Sequence, residues 1–303
     1  MLKAVIIDLC EIADISDSQH LAAIPFLEQL LIDLVKNEIK VVNMTPAFQS
    51  VNDRSSAYSI LIKQLLVSSD ECITITDTYY GLLSAGKLGI TCIAYLNPNI
   101  LNQDLYKAAL LVEGFEEIDY SFLNRIYQYD HMEAATILTT DNFIIRELSV
   151  DDIENLLSIY RDPSVNAFFD DFVDSIMIEK EKLEAYIKNI YHFYGYGLWG
   201  VYQKENDQLV GRCGVEYKLL ENEEIYELGY LLAKPYQGLG YAREFVTAVI
   251  DYCFLELNLP YLIAIIDKDN IASIHLAERA GMLNTGLCTR NSREYYKYKI
   301  TNI

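Results

Sequence analysis

The part of the sequence best suited to chemistry is a glycine-rich turn that leads directly into an amphipathic pattern. The turn, Gln237-Gly-Leu-Gly-Tyr-Ala242, follows Lys234-Pro235, where proline ends the preceding strand because it cannot donate a ladder hydrogen bond. The helical pattern AREFVTAVIDYCFLEL begins within it. Such a turn aims several free N–H groups at one point, and the helix dipole adds partial positive charge. We therefore expect an anion site that suits a pyrophosphate.

Two further motifs flank this turn in the order typical of one enzyme family. The strand before the turn reads Glu227-Leu-Gly-Tyr, and the helix after it carries Asn270-x-x-Ser273-x-x-Leu276-x-Glu278-x-x-Gly281-Met282. Upstream, LWGVYQKENDQLVGRCGVEY reads as a hairpin, and RDPSVNAFFDD lies before it. Residues 142–300 resemble the GNAT N-acetyltransferase family, and RDPSVNAFFDD is similar to a segment of its ribosomal-protein N-terminal and polyamine acetyltransferases.

The resemblance implies that acetyl-CoA donates an acetyl group to an amine, which attacks it directly in a ternary complex. The glycine turn would hold the pyrophosphate, and the end of the preceding strand would splay from its neighbour and pair with the pantetheine arm. A backbone N–H around Leu231 or Leu232 would stabilise the oxyanion, and Asn270 would hydrogen-bond the pantetheine. The implied acetyl-CoA-binding residues are Leu231, Leu232, Ala233, Gln237, Gly238, Leu239, Gly240, Tyr241, Ala242, Asn270 and Ser273.

The resemblance also assigns the proton transfers. The acceptor ammonium must lose a proton before it attacks, and Glu227 stands where the family often keeps an acid. Glu216 is the second choice for this base. Ala277 replaces the family's usual tyrosine donor to the thiolate, so Ser273 or water is expected to supply that proton. The alternative for Glu227 is a carboxylate that orders water or pairs with an arginine.

The acceptor is expected between the first two helices and the central strands of this region. Acids and aromatics cluster there, namely Phe168, Phe169, Asp170, Asp171, Phe172 and Asp174. They predict a site for a cationic amine through charge and cation–π contact, although a solvated loop with core phenylalanines is the alternative. The expected acceptor is a small amine or a protein N-terminus, and self-association as a homodimer is left open.

The first 135 residues follow a different pattern. Short β-branched runs such as LKAVIID and ECITIT alternate with amphipathic stretches, which predicts βαβ units and a doubly wound parallel sheet. Asp8 and Asp77 come just after two of these strands, at the sheet edge where open α/β folds bind ligands. The sequence therefore predicts an α/β domain followed, after the change of pattern, by a mixed α+β domain.

The segment order of this first domain resembles the haloacid-dehalogenase-like (HAD-like) hydrolase fold. Asp8 matches the family's first catalytic position, Thr45 matches its second motif, and TDTYYGLLSAGKLGITCIAY looks like its last. Cys10 replaces the acid that would protonate a leaving group, and Thr76 replaces a Mg²⁺-binding acid. The spacing leaves no room for a cap domain. The resemblance therefore implies a capless domain without catalysis, with no metal, and a Mg²⁺-dependent phosphatase is the alternative.

Composition sets the remaining bounds. The chain has 303 residues and a net charge of −20, spread evenly, which disfavours nucleic-acid and membrane partners. Its six cysteines stand singly, which disfavours a disulfide framework and a zinc site. No apolar run reaches membrane-spanning length, so a cytoplasmic protein is expected. The expected domains are residues 1–134 and 142–303, joined by a polar linker around 131–141; the rival function is a non-catalytic acyl-CoA sensor or scaffold.

Overall fold

The computed structural model describes residues 1–10, 24–44, 52–168 and 172–302. It divides the chain into two compact units, Met1–Glu133 and Ala134–Ile303. Each unit has its own sheet and its own hydrophobic core.

A five-stranded sheet, parallel throughout, forms the centre of the first unit, as predicted. Its order is β2-β1-β3-β4-β5, so the chain direction across the sheet reverses between β1 and β3, where doubly wound folds place their ligands. Every residue of β1, β3 and β4 is buried, as strands covered on both faces must be. The strands are β1 (Ala4–Asp8), β2 (Lys40–Asn43), β3 (Cys72–Thr76), β4 (Thr91–Tyr95) and β5 (Leu110–Val112).

Helices cover both faces of this sheet. They are α1 (Leu27–Lys36), α2 (Ser55–Leu65), α3 (Tyr79–Lys87) and α4 (Tyr120–Asp130). In α1 the buried leucines recur at helical spacing, Leu27, Leu30, Leu31 and Leu34, and pack into the core on one face. Residues of α2 and α3 fill the core on the other face. The identity of this unit as a HAD-like domain stays a prediction, and Thr45 lies outside the described residues.

An eight-stranded mixed sheet forms the second unit, in the order β12-β13-β11-β10-β9-β8-β7-β6. Neighbours pair antiparallel except β10 and β11, which are parallel. The mixed sheet and its antiparallel hairpins confirm the predicted class of fold. The strands are β6 (Thr136–Thr139), β7 (Phe143–Arg146), β8 (Leu198–Gln203), β9 (Gln208–Leu220), β10 (Glu223–Leu232), β11 (Tyr261–Asp267), β12 (Leu283–Arg290) and β13 (Arg293–Thr301).

The helices of this unit pack on its sheet. They are α5 (Ile153–Tyr160), α6 (Pro163–Asn166), α7 (Ile176–Tyr186), α8 (Tyr241–Leu255) and α9 (Ile271–Arg279). The helix predicted after the glycine turn is α8, whose buried face includes Phe245, Val249 and Cys253. Among the described residues, no helix combines the length and the apolar character that a membrane span requires.

The expected linker contains a strand. Residues 136–139 form β6, which pairs antiparallel with β7, and Ala135 N donates a 3.2 Å hydrogen bond to the Glu147 carboxylate. The second unit therefore begins before residue 142. The Thr-Ile-Leu-Thr run supplies two apolar side chains that pack against the core, which explains why this polar-looking segment is ordered on the sheet edge.

Candidate functional site

Two strands of the second sheet separate where the sequence predicted a splay. The parallel strands β10 and β11 are paired at one position, Glu227 with Ile263, although β10 continues to Leu232 and β11 to Asp267. Both strands lie entirely within the described residues 172–302. Beyond Glu227 a gap therefore opens between their C-terminal halves, and the backbone groups of β10 and β11 that face this gap have no strand partner.

The register of β10 on β9 shows which amides face the gap. Ala233 N donates a 2.7 Å hydrogen bond to Val210 O, and the ladder continues without a shift through Leu232–Gly211 and Leu231–Arg212. Because bonded and non-bonded pairs alternate in an antiparallel ladder, the Leu231 amide faces β9 and the Leu232 amide faces the gap. Of the two predicted oxyanion donors, Leu232 alone has its N–H directed toward the gap.

The glycine-rich turn lies between the end of β10 and the start of α8. Gly238 and Gly240 have positive φ angles of 77° and 86°, a conformation that favours glycine, and a Cβ at either position would meet open space. Within the described residues, the N–H groups of residues 238–242 donate to no protein acceptor. Five consecutive free donors at a helix N-terminus form a cradle that fits the pyrophosphate of acetyl-CoA.

The neighbouring side chains hold this turn in place. Gln237 Nε2 donates a 2.7 Å hydrogen bond to Leu232 O, which ties the turn to the end of β10. The Tyr241 ring packs edge-on against Phe143 at 5.2 Å between centroids. Leu239 is exposed. Gln237 and Tyr241 therefore act here as supports, while the main-chain N–H groups remain for the anion.

Helix α9 borders the gap from the other side. Asn270 caps it, its Oδ1 accepting a 3.1 Å hydrogen bond from Ser273 N, and the Asn270 amide nitrogen is left to donate to a ligand. Tyr230, a residue that the sequence analysis did not single out, donates a 3.0 Å hydrogen bond to the Ser273 carbonyl. Ala277 is fully buried. Burial raises the pKa of Tyr230, so this phenol keeps its proton.

Glu227 lies at the closed end of the gap and is ion-paired. Both of its oxygens accept from Arg290, at 2.8 and 2.7 Å, and Lys218 Nζ lies 3.4 Å from Oε2. Burial acts to raise the pKa of Glu227, but the Arg290 hydrogen bond and the Lys218 charge outweigh it and hold this pKa below its usual value. The carboxylate is thus ionised and paired with an arginine, the alternative that the sequence left open. Its role as base stays a prediction.

Glu216, the second candidate base, is the residue directly opposite Glu227 on β9. Its Oε1 accepts a 2.8 Å hydrogen bond from the Tyr186 hydroxyl, and its Oε2 lies 2.8 Å from Lys218 Nζ. Opposed residues of a ladder project to the same face of a sheet, so both carboxylates belong to one face of β9 and β10. Lys218, Arg290 and Tyr186 could not be placed here from sequence, because motif spacing does not reveal cross-strand neighbours.

A π-helical turn positions two tyrosines over this face. Helix α7 continues as a π-helix over Ile187–Tyr191 and ends with one α-helical turn, His192–Tyr194. Tyr191 OH donates a 2.6 Å hydrogen bond to Leu198 O, and Tyr186 OH accepts a 2.7 Å hydrogen bond from Leu198 N. The first residue of β8 is therefore held at both of its backbone groups, and Tyr186 still donates to Glu216.

The predicted acceptor cluster is partly described. Phe169, Asp170 and Asp171 lie outside the described residues. Asp174 pairs at 2.8 Å with Arg161, both exposed, and Phe172 packs on the core, 5.6 Å from Tyr160 between ring centroids. Asp174 therefore belongs to a solvated ion pair and Phe172 to the hydrophobic core, as the alternative interpretation of this cluster predicted.

The acidic residues of the first unit are enclosed in hydrogen bonds. Asp8 is fully buried; Arg54 Nη1 donates to its two oxygens at 2.8 and 2.7 Å, and Tyr58 OH donates at 2.5 Å. Asp77 accepts from Cys10 N at 3.1 Å and from Asn97 Nδ2 at 2.9 Å. A carboxylate held this way is poorly placed to attack a phosphate.

Cys10 lies where the HAD-like resemblance would place the acid that protonates a leaving group. Burial, followed by the charge of Asp77, raises the pKa of Cys10 to about 11, so its thiol keeps its proton at neutral pH. In the described ranges 1–10, 24–44, 52–168 and 172–302, no three His, Cys, Asp or Glu side chains are arranged to hold a metal ion.

Comparison with known proteins finds similarity over the second unit. Residues 142–283 match the family model of the acetyltransferase (GNAT) domain. YkkB of Bacillus subtilis strain 168, an uncharacterised protein, is 33% identical over 154 residues, covering 50% of this chain and 87% of the relative. An uncharacterised N-acetyltransferase, p20 of Bacillus licheniformis, is 27% identical over 162 residues, covering 54% and 88%.

Solved structures show the same similarity in this region. An acetyltransferase from Agrobacterium tumefaciens strain C58 is 26% identical, with a TM-score of 0.46 and coverage of 54% of this chain and 92% of that one. A GNAT-family acetyltransferase from Bacillus anthracis is 23% identical, with a TM-score of 0.47 and coverage of 55% and 98%.

A splayed strand pair beside a glycine-rich anion cradle is the arrangement that an acyl-CoA-dependent transferase requires. The family match identifies the class of transferase. Through residues 142–283, the chain belongs to the GNAT acetyltransferase family. It is an acyltransferase, and acetyl-CoA is its co-substrate.

The cradle leads to a first prediction. Gly240→Glu introduces strain at a positive φ and a negative charge beside the free N–H groups, so acetyl-CoA should bind at least about tenfold more weakly, since like charges brought together cost several kcal/mol. Isothermal titration calorimetry measures this. Gly89→Glu is the matched control, because Gly89 also has positive φ and open space around it but lies in the first unit. Equal affinity in the Gly240 variant would contradict the assignment.

The buried ion pair of the first unit leads to a second prediction. Arg54→Met leaves the Asp8 charge buried without its cation, which should lower the free energy of unfolding by about 3–5 kcal/mol. Urea unfolding followed by circular dichroism measures the loss. The double variant Asp8→Asn/Arg54→Met should recover most of it, since it removes both charges of the pair.

Trp199, the one tryptophan of the chain, lies in the second unit and provides the control. Its fluorescence follows the second unit, so a loss seen in circular dichroism but not in fluorescence belongs to the first unit. A loss below about 1 kcal/mol in circular dichroism would mean that Asp8 is already solvated or neutral.

Proposed function

We propose that the chain transfers the acetyl group of acetyl-CoA to the nitrogen of a primary amine, either a small amine or a protein N-terminus. The observation that carries this proposal is the gap beyond Glu227 together with the five free N–H groups of residues 238–242. The first supplies an unpaired strand edge for an extended arm, and the second supplies an anion cradle at the end of the same strand.

Each part of the site has one task in this reaction. Acetyl-CoA, when bound, supplies the thioester that the amine attacks, so that a C–N bond forms as the C–S bond breaks. The Leu232 N–H, directed into the gap, is the oxyanion donor. The Asn270 amide nitrogen binds the pantetheine. Ser273, in the first turn of α9, relays to the departing thiolate, directly or through water, the second proton that the attacking nitrogen loses as the amide forms.

The ammonium proton goes to a carboxylate at the closed end of the gap. We assign this role to Glu227, acting directly or through water, because it is the last paired residue before the strands separate. Its pairing with Arg290 stabilises the ionised form, so proton transfer from the ammonium to Glu227 has a small driving force. The protonated carboxyl group then releases this proton to solvent readily. Glu216, on the opposite position of β9, is the second candidate.

The function is tested by incubating the full chain with acetyl-CoA and a panel of amino sugars, amino acids, polyamines and peptides. Thiol release should depend on the amine, and mass spectrometry should find one added acetyl group on nitrogen. Gly240→Glu should abolish the release. Acetyl-CoA binding without transfer to any amine would instead favour an acyl-CoA sensor or scaffold.

The base is tested by Glu227→Gln. This change keeps the shape of the side chain and removes its negative charge, so kcat should fall by about 100-fold or more, the range typical of a lost general base. Acetyl-CoA affinity should stay unchanged in calorimetry. Glu216→Gln is the matched control from the same face of the sheet. A larger fall in the Glu216 variant would transfer the role to that residue.

A further inference from the structure

Four charged side chains line the face of β9 and β10 at the closed end of the gap. We call them the charged wall: Glu216, Lys218, Glu227 and Arg290. The first two alternate along β9, and Glu227 is directly opposite Glu216. Arg290 is the last residue of β12. The hairpin of β12 and β13 packs on this face through Cys288 and Tyr295, which belong to one apolar cluster with Ile225 and Ile263.

Every carboxylate oxygen of the charged wall already has a partner. Glu227 accepts from Arg290 with both oxygens. Glu216 accepts from Tyr186 with one oxygen and pairs with Lys218 through the other. If the acceptor carried a second cationic group, that group would have to displace the Arg290 guanidinium or the Lys218 ammonium before it could pair with a carboxylate of the charged wall.

The accessible part of the charged wall is positive. The side chains of Lys218 and Arg290 are 41% and 31% exposed, whereas those of Glu216 and Glu227 are 14% and 10% exposed. The two carboxylates are therefore the buried part of the charged wall, and the two cations are its solvent-accessible part. Burial acts to lower the pKa of Lys218, but the carboxylates of Glu227 and Glu216 outweigh it and raise this pKa, so Lys218 stays charged.

Arg212 adds a third cation to the same face. It lies on β9 at the same side-chain alternation as Glu216 and opposite Leu231. Its guanidinium donates to the Tyr160 hydroxyl at 2.9 Å and to Leu198 O at 3.1 Å, and the ion pairs found among the described residues include none with Arg212. Arg212 is thus a third cation beside the two carboxylates of the charged wall.

We propose that the charged wall selects acceptors that carry a carboxylate or another anionic group beside the primary amine, and that Lys218 is the main specificity-determining residue. The inference rests on the proposed function and narrows its acceptor. The amine approaches Glu227 while the anionic group binds Lys218 and the exposed edge of Arg290. A polyamine meets two exposed cations at the same place, and its second charge is repelled.

Three acceptors of one carbon skeleton test this charge preference. They are β-alanine, its amide and trimethylenediamine, which present a negative, neutral and positive group at the same distance from the reacting amine. Steady-state kinetics with acetyl-CoA gives kcat/KM for each. Each value is expressed as the ratio of variant to unaltered protein, so that the differing basicities of the amines cancel.

Lys218→Gln should lower the kcat/KM of β-alanine relative to its amide about fivefold and raise that of the diamine relative to the amide, as expected for one removed rim charge. The effect of the lost charge on Glu227 is common to the three amines and cancels in these ratios. Lys87→Gln is the matched control, an exposed lysine paired with Asp53 in the first unit, and should change none of the three. An unchanged β-alanine ratio in Lys218→Gln would overturn the proposal.

Binding separates failure of this inference from failure of the proposed function. The dissociation constant of each amine is measured by calorimetry on protein saturated with CoA. Tighter binding of β-alanine than of the diamine, lost in Lys218→Gln, supports the inference even without acetyl transfer. Tighter binding of the diamine, lost in Asp170→Asn/Asp171→Asn, would overturn it in favour of the acidic cluster predicted from sequence.

Discussion

The separation of two parallel strands is the constraint on which the rest of the second unit depends. Buried backbone N–H and C=O groups need partners, and β10 and β11 provide them for each other at one position only. Each strand is held on its outer side, β10 along its length by β9 and β11 by β13. Because β9 and β13 hold the two strands in place, the gap between them stays open. An extended ligand can then make the hydrogen bonds that a neighbouring strand would otherwise make.

The site also shows how a strongly acidic chain can bind a polyanion. The chain carries a net charge of −20, yet residues 237–242 contain no basic side chain. The attraction comes from main-chain N–H groups and the start of α8, which act over a few ångströms. Net charge acts over longer distances and is screened by salt. The two effects therefore operate on different length scales and do not conflict.

Patterns local in sequence were predictable, and contacts between strands were not. The turn at Gln237–Ala242 and the helix that begins in it follow from a short motif whose backbone conformation the residues themselves dictate. The pairing of Glu227 with Arg290 and the choice of Leu232 over Leu231 depend on register and on the curl of the β12–β13 hairpin, which no local pattern encodes. Strand β6 was missed because its alternation is weak, and β5 because three residues carry too little periodicity.

The π-helical turn after α7 ties chain length to catalysis. Tyr186 and Tyr191 are five residues apart, and the wider turn lets both hydroxyls reach Leu198. In a regular α-helix each residue turns the side-chain direction by about 100°, so deleting one residue from 187–191 would swing one tyrosine away from β8. The number of residues between Tyr186 and Tyr191 is therefore constrained by the position of Leu198, in addition to the identity of the two tyrosines.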